Sequence, residues 1–296
     1  MHVKSLHIYP LKSGKAANVR TLDITPTGPA GDRGWMVVRD HGDKGLSLLS
    51  QRGGNEALAL VEPILQKDGL SLNAPGMPTL FFDEMELSTT SRPVNIHGDT
   101  AAHVFDAGDK AAAWISKFLG KPCRLARQDP AYIRTPDQVY AQESDSVSLA
   151  DGFPLLITNQ ASLRKLQQKL PEEAHIDMAR FRANIVLEGD EAFEEDVIYE
   201  LKIGDVVLEM VKPCARCVMI TINQRTGEAA NQEPLATLAK LRRGKADGLQ
   251  GVFFGQNAIP RALGRIKVGD PVEILSCRPM HQALEQATLK YEILQP

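Results

Sequence analysis

The segment Lys212-Pro213-Cys214-Ala215-Arg216-Cys217 carries the strongest chemistry in the chain, because it sets two thiols three residues apart with a cation between them. A C-x-x-C pair has three common uses. A zinc site needs about four ligands, usually two such pairs or a pair with histidines. Here Cys123 and Cys277 are isolated, and none of the seven histidines forms an H-x₃₋₅-H partner, so zinc is a poor fit. A thioredoxin-like redox pair opens a helix; the β-branched run at residues 218–222 predicts a strand instead, which weakens that use without excluding it. The third use is a single thiolate ligand to a soft or redox-active metal, its proton loss favoured by Arg216 beside it. Against all three stands simple burial of both thiols as packing residues, which spacing alone leaves open.

Composition sets the frame for these choices. The chain has 296 residues, 43% of them hydrophobic, and a formal charge of −3. That length suits one large domain or two compact ones. Basic residues are scattered, which argues against a nucleic-acid partner. No stretch of ~18 apolar residues occurs and no secretory signal opens the chain, so no membrane association is expected. Four cysteines do not make a disulfide scaffold, and a reducing, cytoplasmic setting is expected.

The elements that must position the thiols read as mostly strands. Apolar runs at residues 35–38, 57–61, 80–82, 184–187, 197–211, 218–222, 252–254, 272–275 and 289–294 predict strands between turns. Three helices are expected. One carries Trp114, Ile115, Phe118 and Leu119 on one face before Gly120. A second starts after Thr158 or Asn159 with Leu163, Leu166 and Leu170. A third follows Pro234 with Leu235, Leu238 and Leu241. The polar stretch 128–146 reads as a long connection or a loop carrying part of a site. The expected class is β-rich α+β or barrel. Neither G-x-G-x-x-G nor G-x-x-x-x-G-K-[ST] is present, so nucleotide folds built on those loops lose support.

Across much of its length the chain resembles the MOSC superfamily, in particular the two-part bacterial YcbX-type and mitochondrial amidoxime-reducing component-like members. Ile8-Tyr9-Pro10-Leu11-Lys12-Ser13 is similar to the family's Y-P-x-K-S turn, and Gly31-Asp32-Arg33-Gly34-Trp35 to its G-D-R-x-W strand. Asp151-Gly152-Phe153-Pro154, within residues 148–162, is similar to the start of the MOSC domain. Phe181-Arg182-Ala183-Asn184-Ile185-Val186 and Cys214-Ala215-Arg216-Cys217 with Thr221 and Thr226-Gly227 match F-R-x-N-I-V and C-x-R-C…T…T-G. Residues 254–256 and 266–272 resemble the closing strands.

The resemblance implies an N-terminal MOSC β-barrel domain at residues 1–122, followed by a MOSC β-barrel domain with a few helices at 123–296. It implies a molybdenum cofactor, a pyranopterin whose metal takes Cys217 as protein ligand, with Cys214 in a position that is not a ligand. Lys12, Ser13, Arg33, Gly152, Phe153, Arg182 and Arg216 fall on cofactor-binding positions, where planar guanidinium forks suit phosphate and pterin edges. Asp151 falls on an acidic position near the metal, suited to assisting proton delivery. The implied activity is reduction of small N-hydroxylated compounds: amidoximes, hydroxylamines and N-hydroxylated bases. Cys277 is the sole cysteine past residue 217, so no iron–sulfur cluster is expected in this chain. Electrons are then expected from a separate ferredoxin-like or flavin-dependent reductase, and no mitochondrial anchor is expected ahead of the first domain. Within the same superfamily, the alternatives are a sulfur carrier using Cys217 as persulfide and a cofactor-binding module without turnover.

Overall fold

Trp35-Met36-Val37-Val38 shows how the first half of the chain is built. All four residues are buried, because alternate side chains enter different cores. Trp35 and Val37 pack with Leu58, Leu70, Phe82 and Ile115, whereas Met36 and Val38 pack with Leu46, Val94, Val104 and Ala126. The computed structural model, which describes residues 1–229 and 231–293, places this segment in strand Trp35–Asp40. It belongs to a closed barrel with Leu46–Leu48, Arg92–Asn95, His103–Asp106 and Arg124–Gln128. A three-stranded sheet, Glu62–Gln66, Gly69–Asn73 and Leu80–Asp83, covers the outer core. The helix Gly108–Leu119 packs there through Ala111, Trp114 and Ile115, and stops at left-handed Gly120 as expected.

The second system is a nine-stranded sheet. Its order runs Ala17–Val19, His2–Ile8, Ile185–Glu188, Leu155–Asn159, Leu249–Ala262, Val206–Ala215, Ile198–Ile203 and Val272–Cys277, with Arg243–Ala246 paired to Leu249–Ala262. Val3 donates to the Asp270 carbonyl at 3.0 Å and accepts from Gly269 at 2.9 Å, which draws the far edge back to the first strand. The opening of the chain therefore belongs to this sheet, while Arg124–Gln128 completes the barrel. Strand Thr21–Thr25 likewise pairs with Gly264–Lys267. The β-rich α+β class with barrel architecture is what the structure shows.

The helix Gln160–Gln167 is capped by the Asn159 side chain, which accepts from Ala161 N–H, and buries Leu163 and Leu166. The helix Leu235–Arg242 follows Pro234 as expected. Three expected strands are helical instead. Residues 57–61 fall largely in the 3₁₀ turn Glu56–Leu60, where Leu58 and Ala59 are buried; so short an apolar run has no period to separate the two forms. Residues 218–222 overlap the 3₁₀ turn Val218–Thr221, closed by the Thr221 hydroxyl donating to the Val218 carbonyl at 2.8 Å. Residues 289–294 run into the helix Gln282–Ile293, which docks Ala283 and Leu284 on Leu249 and Phe253; residue 294 lies outside the described residues.

A buried polar network ties the helices to the large sheet. Asp196 accepts from Arg242 and, at 2.7 Å, from Gln256. Beside it Glu195 takes the Ser162 hydroxyl at 2.9 Å, and burial, reinforced by the Asp196 charge, pushes its carboxyl up to about 8. Among the described residues no helix is long and apolar enough to cross a membrane.

Candidate functional site

Where the barrel meets the large sheet, the chain leaves a cleft of about 370 Å³. Lys12 reaches it from the turn after the first strand. Its N–H donates to the Trp35 carbonyl at 2.7 Å, pinning the turn to the barrel, and Ser13 beside it adopts φ 67°. The Lys12 ammonium then donates to the Leu149 carbonyl at 2.7 Å and to Asp151 Oδ1 at 2.5 Å. The pair is lopsided: the Lys12 side chain is 6% exposed and that of Asp151 72%. Lys12 holds the Asp151 carboxyl well below the usual carboxylate range, while burial pulls the Lys12 ammonium down despite Asp151.

Arg33 and Arg182 come from opposite halves of the chain, both from left-handed backbone. Arg33 pairs with Asp32 and donates to Asn184 Oδ1 at 3.0 Å. Arg182, directly after the 3₁₀ turn Met178–Phe181, donates to the Gly14 carbonyl at 2.7 Å. Burial lowers its guanidinium to about 10, so it stays charged near neutral pH. Arg216 leaves strand Val206–Ala215 and donates to the Phe181 carbonyl at 2.6 Å and to Cys214 Sγ at 3.0 Å. Its Nε is buried with no partner.

Cys217 heads the 3₁₀ turn Val218–Thr221 and caps none of its N–H groups with its side chain. It is a free, partly buried thiol lining the cleft. The strand expected after Cys217, used above to weaken the redox-pair reading, is therefore not formed. What distinguishes the two thiols is instead the Arg216 hydrogen bond, which only Cys214 receives.

Lys12, Ser13, Arg33, Asp151, Gly152, Phe153, Arg182, Arg216 and Cys217 all line this one cleft. Phe153 lines it from a small buried cluster with Val211 and Ile259, against which Tyr140 packs. Ser50, His97, Arg180, Asn184, Lys212 and Asn257 also line it and went unassigned in the sequence. Asn184 sits inside a recognised motif and Lys212 two residues ahead of one, so a signal existed for the first and a neighbouring one for the second. Ser50 and His97 lie in barrel connections and carry none. His97 Nε2 lies 3.7 Å from Asp151 Oδ1, and burial lowers the imidazole below its ordinary value.

The donor set suits an anionic group bearing a thiolate-bound metal. Lys12, Arg33, Arg182 and Arg216 supply the cations, the Arg216 Nε lacks a partner, and Cys217 offers a free thiol. Among the described residues no group of three or more His, Cys, Asp or Glu side chains is placed to hold a metal ion, which leaves the zinc reading without ligands.

Two families match the chain. Residues 144–273 match the MOSC domain family and residues 1–122 the MOSC N-terminal beta barrel domain family. The chain is 33% identical over 287 residues to mitochondrial amidoxime-reducing component 1 of Homo sapiens, covering 92% of this chain and 82% of that protein. It is 34% identical over 286 residues to mitochondrial amidoxime reducing component 2 of Rattus norvegicus, covering 91% and 82%. It is also 33% identical over 263 residues to molybdenum cofactor sulfurase of Danio rerio, covering 81% of this chain but 30% of that longer protein.

Proposed function

Because the chain belongs to the MOSC family, with a MOSC N-terminal beta barrel domain ahead of its MOSC domain, we propose that it is a molybdenum-cofactor-dependent reductase of N-hydroxylated compounds. One observation carries this reading: the Cys217 thiol shares a cleft with Lys12, Arg33, Arg182 and Arg216. Cys217 is the protein ligand to the metal, and the four cations hold the phosphate and pterin edges. Ser13, Gly152 and Phe153 shape the remaining contact surface. When bound, the cofactor supplies the two-electron chemistry that removes oxygen from an N–O bond.

The residues of the chain bind and orient. Asp151, kept ionised by Lys12, accepts hydrogen bonds from a substrate N–H or O–H in the cleft, and its low affinity for protons makes it a poor donor near neutral pH. Phe153 presents an apolar side chain to the cleft and is backed by Val211 and Ile259. Electrons come from a separate ferredoxin-like or flavin-dependent reductase. All four cysteines are free, which supports a reducing, cytoplasmic setting. The division into an N-terminal β-barrel domain at residues 1–122 and a MOSC domain at 123–296 is part of the same proposal, as a division of the sequence that the first strand and Arg124–Gln128 cross in the fold.

Reduction of an amidoxime by the purified chain, driven by a chemical electron donor, tests the reading. Product formed in proportion to bound molybdenum supports it, and none from fully loaded protein counts against it. Similarity to the molybdenum cofactor sulfurase favours a second reading, in which Cys217 carries a persulfide. Labile sulfane sulfur on molybdenum-free protein would select that one.

A further inference from the structure

Arg33 and Arg182 bring two positive charges to one cleft, and like charges in a buried setting are costly to hold together. Asp32 offsets Arg33. Among the described residues, the Arg182 side chain donates to the Gly14 carbonyl and, at 3.3 Å, to Gln224 Oε1, and pairs with no carboxylate. What the two guanidiniums share is the ring of Tyr9. Its centroid lies 4.4 Å from the Arg33 Cζ and 4.3 Å from the Arg182 Cζ. An aromatic face carries negative electrostatic potential and attracts both cations, most strongly where water is excluded.

Tyr9 is itself rigidly held. It is buried, its N–H donates to Asp32 Oδ1 at 2.7 Å, and its carbonyl accepts from Arg33 N–H at 2.8 Å. Its hydroxyl donates to the Ala183 carbonyl at 3.1 Å, next to Arg182. One residue thus touches the carboxylate that balances Arg33, the backbone of Arg33 and both guanidiniums.

We propose that Tyr9 is a positioning residue whose ring stacks Arg33 and Arg182 into one preorganised anion-holding pair. The role rests on the reading that these arginines hold an anion, and it concerns the ring more than the hydroxyl.

From phenylalanine to its fluorinated forms, shape is nearly kept and the electrostatic potential of the ring face is varied. Phenylalanine and its mono-, tri- and pentafluorinated forms are installed in turn at position 9 of the full chain, and binding of inorganic phosphate is measured by calorimetry. Tyr9→Phe should bind within about twofold of the parent, and affinity should fall stepwise with fluorination, to about tenfold weaker in the pentafluorinated form. Circular dichroism should match the parent through the series, which shows that each variant is folded at the temperature of the titration, while the thermal midpoint should fall with fluorination as the two cations lose the ring. Phosphate affinity indifferent to fluorination would overturn the proposal. So would a parent chain that binds no phosphate, an outcome that leaves the Cys217 ligand to be judged by molybdenum content.

Discussion

The Arg216 guanidinium donates to the Cys214 sulfur at 3.0 Å and makes no such bond to Cys217, its immediate neighbour in sequence. Two thiols that look equivalent as C-x-x-C are therefore different groups. Cys214 is engaged by a cation anchored on the Phe181 carbonyl. Cys217, among the described residues, forms no side-chain hydrogen bond and is left to whatever occupies the cleft. Cys217 is thus the thiol open to an occupant of the cleft.

Asp151 and Lys12 should show a pH signature. The Asp151 carboxyl titrates below its unfolded value of about 3.9. The stability it contributes is thus present above that value and lost as pH falls through the depressed one. Asp151→Asn should cost about 1 kcal/mol at pH 7, a modest figure because the carboxylate is exposed and screened. Denaturant titrations from pH 7 to pH 2 should show the gap to the parent closing only at the acid end. A gap independent of pH would mean the ion pair contributes nothing.

Gly28 links the opening strands to the site loop. Its φ is 110°, and a Cβ there would lie 2.4 Å from the Pro154 carbonyl oxygen. Gly28→Ala must push the segment carrying Asp151, Gly152 and Phe153, and should destabilise by about 2 kcal/mol or more. Urea unfolding measures the loss, and metal content should fall with it. Parent-like stability would show that the loop gives way freely.

Glu195 should behave in the opposite sense to Asp151. Its carboxyl is raised from an unfolded value of about 4.3 to about 8. Its contribution is full below the unfolded value and is lost as pH rises through the folded one. Glu195→Gln mimics the protonated form. It should match the parent near pH 4 and become more stable than it by on the order of 3 kcal/mol by pH 8 to 9. Unfolding midpoints across that range decide, and a constant difference would place the ionised carboxylate in the fold.

The legible parts of this molecule were those written locally. The apolar run at Trp35 announced a strand, and Leu163, Leu166 and Gly120 announced helices and a stop. Lys12, Arg33, Arg182, Arg216 and Cys217 were legible only through motifs, since nothing local says that five separated residues meet. His97 escaped because it reaches the cleft through barrel closure, the parallel pairing of Val94 with Leu46, which leaves no trace in neighbouring residues. Residues 218–222 misled for a different reason. Their β-branched content favours a strand, but the Thr221 hydroxyl competes for the Val218 carbonyl and closes a turn. That turn is what sets Cys217 at its head.

Molybdenum content per chain tests the central claim most directly, measured on the parent, Cys217→Ser and Cys214→Ser after expression in a host that makes the cofactor. The account predicts metal near one per chain in the parent, loss of most of it in Cys217→Ser, and retention of most of it in Cys214→Ser. Equal loss in both variants, or full retention in Cys217→Ser, would contradict a single-thiolate site at Cys217.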